Sequence, residues 1–249
     1  MKHAGVSAFL LILASVLPAQ ASFQELLASG TARQVLEAVQ AGADVRQSSR
    51  AGVTPLMIAA AGNPDPGVIT VLLAAGAAID EPDWVGATAL IYAARFNTHP
   101  EMVTMLARSG AEVDLRDGLG ETALMYAAQY NPNADVVRAL VDSGAAVDGH
   151  DASGISALML AAQGNPEPAV LQALVDRGAN VNLKNVTGMT PLLFAAQGTT
   201  TPKAILVLLA AGADARVVSN GGDSALSLAL KNAHLRDSDV IASLRRTAR

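Results

Sequence analysis

Short apolar runs alternate with polar segments along this chain, and each run is bounded by residues that start or stop a helix. In VTPLMIAAAGNPDP, Thr54 can cap a helix, Pro55 suits its first position, and Asn63-Pro64 stops it after about two turns. An isolated helix of this length is marginal in water, because nucleation costs more than two turns return. The pattern therefore predicts a helix that depends on its neighbours.

The same stretch recurs every 34 residues as ATALIYAARFNTHP, ETALMYAAQYNPNA, ISALMLAAQGNPEP and MTPLLFAAQGTTTP. A fixed period of this size is typical of a solenoid, in which each unit buries its apolar face against its neighbours. Two series of glycines keep the same spacing: Gly52, Gly86, Gly120, Gly154, Gly188 and Gly222, and Gly42, Gly76, Gly110, Gly144, Gly178 and Gly212.

In each unit the sequence predicts a first helix that begins after a hydroxyl side chain and carries one leucine on its inner side. The hydroxyl can accept a hydrogen bond from the first turn. An Ala-Ala pair follows the leucine, and its small side chains allow neighbouring helices to approach closely. The hydroxyl residues are Thr54, Thr88, Thr122, Ser156, Thr190 and Ser224, and the leucines are Leu56, Leu90, Leu124, Leu158, Leu192 and Leu226.

A second helix is predicted in each unit, with proline at its first position and cap candidates such as Asp65 and Thr201 before it. Ile69, Leu72 and Leu73 lie at the three-to-four spacing of one helical face. The helix ends at the Gly76 series, where glycine can close a helix C-terminus. The proline positions are Pro66, Pro100, Pro168 and Pro202.

These motifs resemble the ankyrin repeat, G-x-T-P-L-H-x-A-A followed by L-L-x-x-G-A-x-x-N. The resemblance implies an all-α solenoid of stacked helix-turn-helix units with hairpin-like turns. The usual period is 33, and the extra residue here lies in the inter-helix turn, a variant associated with bacterial ankyrin proteins. The motif's histidine is replaced by Met57, Ile91, Met125, Met159 and Leu193, so any hydrogen bonding between units that it supplies must come from elsewhere.

The N-terminus differs from the repeats. Lys2, an apolar run from Ala8 to Leu17 and the small-x-small site Ala19-Gln20-Ala21 predict a signal peptide over residues 1–21. Residues 22–249 are the predicted ankyrin-repeat domain, with an N-terminal cap at 22–48, five full repeats at 49–218 and a C-terminal cap at 219–249. Gln24, Glu25, Arg33 and Glu37 are expected on the outer face of the first cap, which needs polar residues because it has no outer neighbour.

Composition limits the partners. The net charge is −5 without charged blocks, which argues against nucleic acid, and the ten-residue apolar run is too short for a stable membrane anchor. The chain has no cysteine, so stability cannot come from disulfides. We expect a monomer located in the periplasm, with an extracellular location as the alternative.

Catalytic and metal-binding constellations are not evident. His3, His99, His150 and His234 lie in different segments, so we predict neither a metal site nor a cofactor. Asp80, Asp114 and Asp148 form an acidic row, which turn chemistry explains better than catalysis. The sequence therefore predicts a protein that is not an enzyme.

The remaining candidate is a surface for a protein partner. In ankyrin-like stacks the turn tips and the exposed side of the first helix form a concave face. Tryptophan, tyrosine and arginine dominate binding hot spots, although the aromatic rings here can alternatively pack over a helix turn. The predicted partner-binding residues are Trp84, Arg95, Phe96, Leu119, Glu121 and Tyr130.

The sequence thus predicts a non-enzymatic module that binds another protein in the bacterial envelope or outside the cell. Within this class it does not choose between an inhibitor or immunity partner of a toxin, a companion of an envelope enzyme and an effector that acts on host proteins. A hydrolase with an unrecognised site and a structural spacer without a ligand are the rival classes.

Overall fold

The computed structural model describes residues 18–236 and 238–247, with side chains from Phe23 onward, and these residues form fourteen helices and no strand. The helices come in pairs, as the repeat predicts. The first helix of each pair spans Pro18–Ser29, Pro55–Gly62, Ala89–Phe96, Ala123–Tyr130, Ala157–Gly164, Pro191–Gly198 and Ala225–Lys231. The second spans Ala32–Gln40, Gly67–Ala74, Pro100–Arg108, Ala134–Asp142, Pro168–Asp176, Pro202–Ala210 and Val240–Thr247.

The chain divides into two compact units, residues 1–123 and 124–249, and helices of consecutive pairs contact each other within each unit. In the first unit, Pro55–Gly62 packs between Pro18–Ser29 and Ala89–Phe96. In the second unit, Pro191–Gly198 packs between Ala157–Gly164 and Ala225–Lys231. This sequential packing confirms the predicted all-α repeat architecture.

The core consists of the leucines and alanines that the repeat places on the inner side of the first helix. Leu56 and the pair Ala59-Ala60 are 0% exposed, and the equivalent residues of later repeats are buried to the same degree. The Ala225–Lys231 helix is the exception, because Leu226 is half-buried and Leu230, at the position of the second alanine, is 44% exposed. On the second helices the predicted face is also buried except at Leu73, which is half-buried. Its buried members are Ile69, Leu72, Val103, Leu106, Val137, Leu140, Leu171, Leu174, Ile205 and Leu208.

The hydroxyl caps are confirmed at Thr54, Ser156, Thr190 and Ser224, whose side chains accept from the backbone N–H three residues later. The prediction is wrong at Thr88, which occupies the cap position but makes no side-chain cap hydrogen bond. Burial and packing therefore hold the Ala89–Phe96 helix start without that bond.

The second helices begin at Pro100, Pro168 and Pro202 as predicted, but the first of the series differs. Gly67 starts its helix, and Pro66 stands before it. Asp65 does bind this helix start, since its Oδ1 accepts from Gly67 N at 2.9 Å, while its Oδ2 accepts from Ala32 N of the preceding pair at 2.7 Å. Thr201 makes no cap hydrogen bond.

A series of asparagines, which we call the asparagine ladder, joins helix pairs to the preceding pair within each unit. Asn97 Nδ2 donates to the carbonyl oxygens of Ala60 and Asn63 at 3.0 and 2.9 Å, and its Oδ1 accepts from His99 N at 2.9 Å. The side chain therefore satisfies two carbonyls of the preceding repeat and one amide of its own turn. Such complete pairing is what buried polar groups require.

The same bonds recur along the ladder, which comprises the buried Asn63, Asn97 and Asn165 and the half-buried Asn232. Thr199 stands at the equivalent position before Asn232, and its hydroxyl bonds only within its own turn. The ladder answers the question raised by the missing histidine, because it supplies side-chain hydrogen bonds between repeats. What reads in the sequence as a local helix stop is also a connection to the preceding repeat.

The predicted signal peptide, residues 1–21, lies almost entirely outside the described residues and stays a prediction. On the first helix pair, Glu25, Arg33 and Glu37 are exposed as expected of an outer face, whereas Gln24 is half-buried. Throughout residues 18–236 and 238–247, every helix falls short of the length and apolarity that crossing a bilayer requires.

Candidate functional site

Each turn tip is fixed by a side chain that binds its own backbone. Asp83 Oδ1 accepts from Val85 N and Ala87 N, both at 2.9 Å, and Asp83 N donates to Ala87 O at 3.0 Å. Asp117 makes the same bonds to Leu119 N and Glu121 N in the next repeat. Aspartate favours turns for this reason, and the bonds leave each tip with one defined backbone conformation.

Neighbouring tips are also bonded to each other. Trp84 N donates to Ala51 O at 3.1 Å, and Gly118 N donates to Val85 O at 2.7 Å. Gly86 permits this approach, because its φ is +87° and an added Cβ would lie 2.8 Å from Gly118 N. These backbone bonds hold successive tips side by side.

Three large apolar side chains project from these tips. Trp84 is 79% exposed, Leu119 73% and Val85 63%. We call these three residues the tip patch. Single exposed apolar residues are ordinary on protein surfaces, but a contiguous group indicates an interaction site. The predicted Trp84 and Leu119 thus stand on two neighbouring tips, which the bond from Gly118 N to Val85 O joins, and Val85 stands beside Trp84.

Arg95 and Phe96 lie elsewhere on the same repeat, at the C-terminal end of the Ala89–Phe96 helix. The helix rises about 1.5 Å per residue, so this end is about 10 Å from the helix start that follows the tip. The Arg95 guanidinium carbon stands 4.9 Å from the Phe96 ring centroid, and the Phe96 and Tyr92 rings are 6.0 Å apart. Both predicted residues are half-buried, so this pair packs over the helix turn, the alternative that the sequence left open.

Glu121 and Tyr130 are not members of the tip patch. The backbone of Glu121 belongs to the turn held by Asp117, and its side chain is half-buried. Tyr130 belongs to the second unit, where it is 49% exposed and its ring centroid lies 6.0 Å from that of Tyr126. The six predicted residues therefore do not form one cluster within the first unit.

A buried tyrosine ties the tip to the helix behind it, and this contact was missed in the sequence. The Tyr92 hydroxyl donates to Asp83 Oδ2 at 2.8 Å, so one carboxylate holds both the turn and the helix. Burial, followed by the hydrogen bond to Asp83 and its charge, raises the pKa of Tyr92 well above its usual range. The only signal in the sequence is an aspartate and a tyrosine nine residues apart.

We expect Tyr92→Phe to lower the free energy of unfolding by about 1 kcal/mol at neutral pH, because the Asp83 carboxylate loses a donor. The raised pKa disfavours the tyrosine anion in the folded state, whereas an unfolded tyrosine ionises near pH 10. The contribution of Tyr92 is therefore present below pH 10 and is lost as the pH rises above it. Urea unfolding on both sides of pH 10 should show the difference between the two proteins shrinking.

The control for this experiment is Tyr130→Phe, which changes an exposed ring. The same pH dependence in Tyr130→Phe would contradict the role assigned to Tyr92.

The acidic row has a structural role. Asp80 accepts from Glu112 N at 3.2 and 3.3 Å, and Asp148 accepts from Asn180 N at 2.8 Å, in each case in the following repeat. The side chains of Asp80 and Asp148 thus bind the backbone of the following repeat, whereas the sequence suggested that they stabilise their own turns. In the part of the chain that the structure describes, no group of three or more His, Cys, Asp or Glu could hold a metal ion.

The chain has no charged blocks, but its net charge differs between the two units. Residues 22–123 contain twelve Asp and Glu, six Arg and no Lys, which gives a net charge of −6. Residues 124–249 contain ten acidic and ten basic residues. The tip patch therefore lies in the acidic part of the chain.

Stacked helix pairs with fixed, exposed turn tips define a helical repeat protein. The family model described as ankyrin repeats (3 copies) matches residues 23–117 and 97–185, which together cover more than half of the chain. The chain belongs to the ankyrin-repeat family, whose repeats are generally non-enzymatic modules for protein–protein interaction. A search of curated proteins finds no match.

Proposed function

We propose that this protein is a non-enzymatic module that binds a partner protein through the concave face of its first unit, with the tip patch as the centre of contact. The observation that carries the proposal is the exposure of Trp84, Val85 and Leu119 on turns held by backbone and carboxylate hydrogen bonds. A surface that is already ordered loses little entropy on binding. Tryptophan in such a position supplies a large apolar contact area.

The half-buried Arg95 and Phe96 extend this surface rather than anchor it. Their exposed parts lie at the C-terminal end of the Ala89–Phe96 helix. Their mutual contact holds the Arg95 guanidinium over the Phe96 ring. Tyr130 is a separate candidate on the second unit, and its substitution is tested separately.

Binding should be lost when the tip patch is truncated. We expect the wild-type protein to retain a partner in a pull-down from the periplasmic fraction, and Trp84→Ala combined with Leu119→Ala to lose it. Both side chains are largely exposed, so the substitutions leave the core intact, which circular dichroism can check. The matched control is Val186→Ala with Val218→Ala, which truncates two exposed valines of the second unit (66% and 54%). Retention of the partner by the Trp84/Leu119 variant would refute the proposed site.

We further propose that the protein is exported to the bacterial envelope. The support is the N-terminal pattern of Lys2, the apolar run and the small-x-small site at Ala19-Gln20-Ala21. N-terminal sequencing of the exported protein should find Ser22 as its first residue. A chain that keeps Met1 in the cytoplasm would contradict this location.

A further inference from the structure

The tip patch has a fixed shape as well as exposed apolar area. The Trp84 ring lies against the preceding turn, because a Cβ added to Gly52 would stand 2.9 Å from Trp84 Cδ1. On the other side, the bond from Gly118 N to Val85 O sets Leu119 beside the Trp84 turn. The three exposed side chains therefore stand on two neighbouring turns whose backbones are bonded to each other before any partner arrives.

Acidic side chains border this surface. Glu81 is three residues from Trp84, at most about 10 Å along an extended chain, and Glu112 lies beside the same segment because its N–H donates to Asp80. Both glutamates are exposed, and among the described residues neither carboxylate has an ion-pair partner. We call Glu81 and Glu112 the acidic rim.

Basic side chains are fewer in this region. Arg50 and Arg116 are exposed near the tips, and Arg116 Nη1 donates to Gly120 O at 2.7 Å. Residues 22–123 contain twice as many acidic as basic residues. Their field therefore attracts cations and repels phosphates and acidic chains, and it acts over about 10 Å at 0.1 M salt.

We propose that the tip patch and the acidic rim recognise a basic polypeptide segment that also carries apolar side chains. This inference rests on the proposed function and names the partner's chemistry. The apolar side chains of the segment cover Trp84, Val85 and Leu119, while its lysines or arginines face Glu81 and Glu112. The apolar contact provides most of the affinity, and the charges provide selectivity and a faster association.

A display library of random short peptides, panned against the full protein, tests the partner class. Peptides that combine basic and apolar residues should be enriched on the wild type and absent from the Trp84→Ala/Leu119→Ala variant. Enrichment of acidic or uncharged peptides that still require Trp84 would overturn the present inference and leave the proposed function standing. Equal recovery by the wild type and the double variant would overturn both.

A matched pair of charge reversals tests the acidic rim with a peptide selected from the library. Glu81→Lys should weaken binding roughly fivefold to tenfold at low salt, and Glu101→Lys should weaken it much less. Both glutamates are exposed and belong to the same unit, but Glu101 lies beyond the far end of the helix that follows the tip. Equal weakening by the two reversals, or none by either, would overturn the role of the rim.

Trp84 itself reports the binding, because it is the only tryptophan in the chain. With a peptide that lacks tryptophan, its emission should shift to shorter wavelength as the ring leaves water, in proportion to the bound fraction. Binding without this shift would show that the peptide sits elsewhere and would overturn the inference.

Discussion

Asn165→Ala is expected to lower the free energy of unfolding by about 3 kcal/mol. Asn165 Nδ2 donates to the carbonyls of Ala128 and Asn131 at 2.9 and 3.0 Å, and Oδ1 accepts from Glu167 N at 2.9 Å. The side chain is buried, and so are the residues whose carbonyls it binds. Alanine would leave these carbonyls without a donor, and each unsatisfied buried group costs about 1 to 3 kcal/mol.

Urea unfolding followed by circular dichroism measures this loss, and Asn180→Ala provides the matched control. Asn180 is an exposed asparagine of the same unit, and its side chain accepts only from Asn182 N. The control should lose less than about 1 kcal/mol, as expected for a solvent-exposed hydrogen bond. If both variants lose the same amount, the ladder contributes nothing special to the contact between repeats.

Gly86→Ala is expected to cost about 3 kcal/mol or more. Its φ of +87° disfavours any side chain by about 1 to 2 kcal/mol, and an added Cβ would lie 2.8 Å from Gly118 N and 3.1 Å from two backbone atoms of Asp117. Backbone atoms cannot move aside as a flexible side chain can. The substitution would therefore separate the two tips and break the bond from Gly118 N to Val85 O.

Gly110→Ala measures the conformational cost of a positive φ without the steric clash expected at Gly86. Gly110 also has a positive φ, +99°, but an added Cβ would have no atom within 4 Å. This variant should therefore lose only the conformational part, about 1 to 2 kcal/mol. The same denaturation experiment compares the two, and an equal loss at Gly86 and Gly110 would show that the contact between tips does not require glycine.

The architecture was predictable because its signals are local and repeated. A hydroxyl cap, an inward leucine, an Ala-Ala pair and a closing glycine each specify part of a helix, and their recurrence specifies the stack. The prediction failed where the structure depends on a contact that the local sequence does not indicate. Thr88 has the right residue type for a cap but makes no such bond, and Pro66 precedes its helix instead of starting it.

The asparagine ladder is a second feature that the sequence does not predict. Asn63-Pro64 explains locally why a helix ends, yet the acceptors for the Asn63 amide are carbonyls of Leu27 and Gly30. Nothing in the intervening sequence marks those carbonyls, because every residue has one. Only the stacked structure shows that the amide reaches them.

The candidate site was predicted in part. Trp84 and Leu119 lie together on the tips, since the glycine spacing locates the tips and their bulky residues cannot be buried there. Arg95 and Phe96 are grouped with them in the sequence because the exposed side of the first helix is expected on the same concave face, but an eight-residue helix separates them from the tip. The Tyr92–Asp83 bond depends on the direction of two side chains, which the spacing of residues does not give.

The asparagine ladder has a direction. Within each unit the amides of Asn97 and Asn232 reach only towards residues of lower number, so the acceptors always precede their donor along the chain. The edge that a repeat offers to the next one therefore carries acceptors only. A protein shortened at a repeat boundary would expose these carbonyls at its C-terminal edge rather than an unpaired amide.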